Sequence, residues 1–177
     1  MTDFKRLIEL LCASGVEFVV IGGVAAGIHG SSYATFDLDI CYARNRPNLE
    51  RLEKVLFSIQ TTLRNVPPGL PFKADAETMR HGMNFTFDTS LGKFDLLGEV
   101  SGVGMYEQAI AGADYVELFG YRCAIFSLPQ LISSKRAAGR PKDLAVVVEL
   151  EALYEQQQAL EEVSRKNTNA ATQESKS

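Results

Sequence analysis

Two aspartates one residue apart, Asp37 and Asp39, interrupt an otherwise apolar run, Phe36-Asp37-Leu38-Asp39-Ile40-Cys41-Tyr42. Strand side chains alternate between faces. Residues 37 and 39 therefore point the same way, roughly 6.5–7 Å apart along the strand, with Phe36, Leu38 and Ile40 expected on the opposite face. Two like charges at that separation repel by roughly 2–3 kcal/mol at an effective dielectric near 20, and aspartate is depleted in strands to begin with. The chemical use of such a face is to hold a cation. Asp95, in Gly92-Lys93-Phe94-Asp95-Leu96-Leu97, interrupts a second apolar strand in the same way. It is the expected third carboxylate, preferred over Asp88, which abuts a turn. Three convergent carboxylates suit one or two Mg2+ ions, which take hard oxygen ligands. A site of that kind serves phosphoryl transfer, one ion activating the attacking oxygen and another steadying nucleotide phosphates.

These acids need strands and helices to position them. Phe4, Leu7, Ile8 and Leu11 carry the spacing of a one-sided helix over residues 3–14, which Gly15 is placed to end. Phe18-Val19-Val20-Ile21 reads as a strand, and Gly22 to Gly30 as a tight turn followed by a short helix packed closely on the sheet. The aspartate strand follows at 36–42. Pro47 opens a helix to about residue 63, and Val66-Pro67-Pro68-Gly69-Leu70-Pro71 breaks the pattern as a loop. Alternation over 83–88 and 93–98, separated by Thr89-Ser90-Leu91-Gly92, predicts a hairpin. A short helix near 104–110 and strands at 114–119 and 121–126 come next. Ser127-Leu128-Pro129-Gln130 fits a capping box, Gly139 and Pro141 punctuate, and a last helix is expected over 142–164. This order indicates an α/β or α+β domain with a mixed sheet. The expected division is a core over 1–127, a helical segment over 128–165 packed on it, and a polar, patternless, disordered tail over 166–177.

The 177 residues carry a net charge of −4, with 46% hydrophobic and 23% charged residues. This gives no general electrostatic footprint for nucleic acid. No apolar run approaches the roughly 20 residues that span a bilayer, and Met-Thr-Asp-Phe-Lys-Arg lacks the apolar core of a signal peptide. The expectation is a cytoplasmic protein without membrane contact. Cys12, Cys41 and Cys123 are widely spaced in apolar surroundings and read as buried free thiols rather than a disulfide framework. Gly22 and Gly27 are spaced like a phosphate-binding loop, but Ile28-His29 stand where Lys and Ser/Thr would be needed. Two distant histidines, His29 and His81, without a Cys-x-x-Cys argue against zinc. Lys135, Arg136, Arg140 and Lys142 form the densest basic cluster. It reads either as a solvated helix end or as a binder of phosphates.

Taken together, Ile21-Gly22-Gly23, Gly30, Thr35, Asp37-Leu38-Asp39-Ile40 and the strand bearing Asp95 resemble the polymerase-β-type nucleotidyltransferase superfamily. The stretch from Leu131 to Leu144 looks like the C-terminal helices of its stand-alone bacterial members, including abortive-infection and toxin–antitoxin nucleotidyltransferases. The resemblance covers most of residues 5–150. It implies Mg2+-dependent transfer of a nucleoside monophosphate from an NTP to a hydroxyl of RNA, protein or a small molecule, with release of pyrophosphate. By position, Asp37, Asp39 and Asp95 would be catalytic and metal-binding, with Asp95 helping to deprotonate the acceptor. Gly22 and Gly23 would let backbone N–H groups approach the triphosphate, and Lys135, supported by Lys142, would face phosphate. Two positions depart from the pattern. Relatives often carry a hydroxyl residue where Gly23 stands and Arg where Tyr33 stands. Those departures motivate an alternative: a degenerate nucleotide-binding module acting as an antitoxin or regulator through a cognate protein partner.

Overall fold

Phe18–Ile21 (β1) is four apolar residues, all of them buried, and a strand with no polar face has to lie inside a sheet. The computed structural model describes residues 1–66 and 72–174, and side chains as far as residue 166. In it β1 is flanked by Asp37–Tyr42 (β2), which it pairs antiparallel, and by Tyr121–Ile125 (β9), which it pairs parallel. Ahead of β1, Asp3 caps Phe4–Ala13 (α1) by accepting from the Arg6 N–H, and the helix buries Leu7, Ile8 and Leu11.

The turn out of β1 is made at Gly22 with φ +63. The chain passes straight into Gly22–Ile28 (α2), with no separate turn before the helix. Next come Arg46–Ser58 (α3), Thr62–Leu63 (β3), Ala76–His81 (α4), Asn84–Thr89 (β4) and Gly92–Leu97 (β5). Glu99–Val100 (β6), Gly104–Met105 (β7), Tyr106–Ala111 (α5) and Asp114–Leu118 (β8) follow. The described strands form a mixed sheet in the order β3-β4-β5-β2-β1-β9-β8, with β6 and β7 as a separate pair. The mixed α/β architecture matches the expectation. Both aspartate-bearing strands form; the structure adds that β2 and β5 are neighbours and run parallel. Leu38, Ile40, Phe94 and Leu96, all 0% exposed, carry the apolar face of this pair.

Three local expectations differ. Phe36 is 73% exposed, because pairing of β2 begins only at Asp37 opposite Lys93. It sits beyond the sheet, where its carbonyl accepts a hydrogen bond from the Thr2 hydroxyl. Helix α3 stops at Ser58 rather than about 63. Gln60 takes a positive φ, and Thr62 and Leu63 pair instead with Asp88 and Phe87 of β4. The short α4 was not foreseen; Asp75 caps it by accepting from the Thr78 N–H. Of the expected loop at 66–71, residues 67–71 lie outside the described residues.

Leu128–Ala138 (α6) starts where the Ser127 N–H donates to Gln130 Oε1, as the capping pattern predicts, and ends at Gly139 with φ +65. Pro141–Glu174 (α7) then runs past residue 166. The expected tail is therefore helical over 166–174, a stretch with no Gly or Pro to stop it; residues 175–177 are outside the described part. No described helix is long and apolar enough to cross a membrane.

Candidate active site

The pleat and the register together assemble the carboxylates. Asp37 and Asp39 lie on one face of β2, and Asp39 is the direct partner of Asp95 across the parallel β2–β5 ladder. One oxygen from each of Asp37, Asp39 and Asp95 falls within 4.8 Å of the others. Asp88, the rival third acid, is instead a half-exposed partner of the Arg64 Nε at 3.5 Å. Burial pushes the Asp39 carboxyl up to about 7, aided by the charges of Asp37 and Asp95 and opposed by Lys135 and Arg64. Asp95 is raised for the same reason, burial first, with Arg64 working against it. Three acids crowded until one resists ionisation are a donor set short of positive charge. Hard oxygen ligands at this spacing fit a divalent cation.

The small residues around the acids leave no slack. A Cβ on Gly22 would lie 2.2 Å from Asp39 Oδ2, so the glycine is what lets this carboxylate stand where it does. Gly22→Ala adds a left-handed backbone penalty of about 1–2 kcal/mol to that clash. Divalent-cation binding, followed by calorimetry, is expected to be lost together with several degrees of thermal stability. At Gly23 a Cβ would fall 2.4 Å from Thr35 Cβ and 2.7 Å from its Oγ1. Thr35 fills the space over Gly23, and its Oγ1 donates to Asp37 Oδ1 at 2.8 Å.

Arg64 was not anticipated. Its Nη2 donates to Asp95 Oδ1 at 2.9 Å and to the Phe87 carbonyl at 2.7 Å, and Nη1 lies 3.5 Å from Asp95 Oδ2. The side chain is 15% exposed. Arg64 holds down the basicity of both Asp95 and Asp39. Arg64→Gln is therefore expected to move the pH midpoint of divalent-cation binding upward, which a calorimetric pH series would read. An unchanged midpoint would show that the guanidinium does not govern the charge of the acids.

Beside the acids lies a cleft of about 180 Å³ lined by Gly22, Asp39, Ser101, Ser134, Lys135 and Arg140 among others. Lys135 Nζ donates to Asp143 Oδ1 at 2.8 Å and Arg140 Nε to Asp143 Oδ2 at 2.5 Å. Burial of Asp143 works to raise its carboxyl, but the two cations outweigh it and the group sits below its ordinary value. Lys135 thus lines the cleft beside Asp39. Lys142 is exposed and is not part of the cleft wall; Arg140 lines it instead. His29 lies away from the acids, with its Nε2 2.8 Å from the Phe126 carbonyl, and His81 pairs with Glu77.

No family model matches the chain, and no curated protein matches it. Solved structures do. A lincosamide antibiotic adenylyltransferase, LnuA, crystallised with lincomycin, superposes with a TM-score of 0.53 at 11% identity, over 84% of this chain and 94% of that one. A Thermotoga maritima protein described as a candidate nucleotidyltransferase gives a TM-score of 0.48 at 13% identity, over 90% and 96%. The fold is that of the nucleotidyltransferases.

Proposed function

We propose that the chain is a metal-dependent nucleotidyltransferase that moves a nucleoside monophosphate from an NTP to a hydroxyl, releasing pyrophosphate. The observation that carries this reading is the convergence of Asp37, Asp39 and Asp95 within 4.8 Å on a nucleotidyltransferase fold. Asp37, Asp39 and Asp95 would hold the metal, Mg2+ being the hard cation that suits them. When bound, it supplies charge neutralisation at the triphosphate and a more acidic acceptor hydroxyl.

The chain's own groups do the rest. Lys135 and Arg140 present positive charge to the departing pyrophosphate, and Gly22 lets the backbone approach the phosphates. Thr35 orients Asp37. The acceptor oxygen bonds to the α-phosphorus, the α–β bridging P–O bond breaks, and the hydroxyl proton passes to Asp95. Its Oδ2, the oxygen farther from Arg64, would take it. The adenylyltransferase that shares this fold was crystallised with an antibiotic bound, which keeps a small hydroxylated molecule among the acceptors beside RNA and protein.

One observation favours a second reading. Asp95 is already paired with Arg64, as it would be in a module that binds nucleotide without turnover and acts through a protein partner. Incubating the full chain with each α-phosphate-labelled NTP, Mg2+ and a total lysate separates the two. Label transferred by the wild-type protein and not by Asp39→Asn supports the enzyme. Metal-dependent nucleotide binding with no transferred label supports the module.

A further inference from the structure

Cys12 on α1 and Cys123 on β9 are 111 residues apart in sequence, yet their sulfur atoms lie 3.7 Å from each other. Neither is in a disulfide. The contact borders a second cavity, a surface groove of about 390 Å³ whose walls include both cysteines, Tyr106, Tyr121 and Arg122. The two thiols differ in access: Cys12 is partly exposed, whereas Cys123 is 3% exposed. Cys41, the remaining thiol, is 0% exposed.

We infer that this groove is a thiol-oxidation site, at which a low-molecular-weight disulfide converts Cys12 and Cys123 into an intramolecular disulfide. Cys12, the accessible sulfur, attacks one sulfur of the small disulfide, forming a mixed disulfide and releasing one small thiolate. Cys123 then passes its proton to the small thiolate already released and attacks Cys12 Sγ, releasing the second small thiolate, which takes up the proton that Cys12 gave to solvent. Two protein thiols are oxidised by two electrons and one small disulfide is reduced to two thiols. The sulfurs need to close by only about 1.7 Å to reach bonding distance. The hydrogen bond from Cys123 lowers the pKa of Cys12, while burial opposes it, which suits the order of attack. A staple between α1 and β9 closes a long loop and removes conformations from the unfolded chain.

The test treats the full-length protein with oxidised glutathione and reads intact mass, thiol count after denaturation, and thermal stability. The expected result is a monomer lighter by two hydrogens, one alkylatable thiol remaining, and a Cys12–Cys123 cross-linked peptide. The Tm rises by several degrees and returns on reduction. Cys123→Ser should instead accumulate a stable glutathione adduct on Cys12. A persisting glutathione adduct on wild-type Cys12, three intact thiols, or a disulfide-linked dimer would each overturn the inference. The wild-type readout stands even if the variant does not fold.

Discussion

Asp39→Asn is expected to reduce nucleotidyl transfer by more than about 10²-fold, and to change the metal-free protein in a way that needs no knowledge of the acceptor. Wild-type Asp39 titrates near 7 in the folded chain, well above an ordinary aspartate, because burial and two neighbouring carboxylates disfavour its charge. The folded state therefore holds a proton that the unfolded chain releases near pH 4. The stability tied to this proton is fully present below that pH and disappears as pH rises through about 7. Without metal, the wild-type Tm should fall between pH 5 and pH 8, and saturating Mg2+ should restore it at the upper end. The amide introduced by Asp39→Asn carries no ionisable proton, so the variant should lose both this slope and the Mg2+ response. A variant with the wild-type slope would place the titrating group elsewhere, and one with wild-type transfer would dismantle the proposed mechanism.

Asp143→Ala should give the largest loss of stability. Its side chain is 2% exposed and is held by Lys135 and Arg140. Deleting it leaves Lys135, 17% exposed, as a nearly buried cation without its partner. Breaking such a pair costs about 3–5 kcal/mol, and the lower end applies here because Arg140 is largely exposed and can rehydrate. Chemical denaturation would read this as a reduced midpoint with an unchanged slope. A second effect separates the roles. Released from Asp143, Lys135 and Arg140 lose their fixed aim into the cleft, so transfer should fall in Asp143→Asn even at temperatures where that variant is folded. Because pairing lowers the Asp143 carboxyl, its contribution to wild-type stability is present above the ordinary aspartate pKa. It is lost as pH falls further through the folded value.

The acids were readable in the sequence because a strand's two-residue period places Asp37 and Asp39 on one face, and the same alternation singles out Asp95. That the two strands are neighbours does not follow from the pattern: it is visible only in the parallel β2–β5 register. Arg64 was not readable: it follows a strand of only two residues, too short for periodicity, and the helix expected to about residue 63 covered that strand. Lys142 lies outside the cleft wall for a different reason. Seven residues after Lys135, it would lie on the same face of one continuous helix, but the left-handed Gly139 breaks the helix and resets its phase. Arg140, within the break, turns into the cleft. Thr35 stands in the sequence motif, but its contacts do not: only the structure shows it packed over Gly23 and bonded to Asp37.

The acids stand on β2 and β5, in the interior of the seven-stranded sheet, rather than on loops at its rim. Amides in such strands exchange with solvent only when the whole domain opens. A ligand gripped there stabilises the native state as a unit. Mg2+ or nucleotide should therefore slow hydrogen exchange across β1, β2, β5 and β9 by a common factor. The distal turns of α7, whose side chains over 155–166 are mostly solvated, should exchange at their own pace regardless.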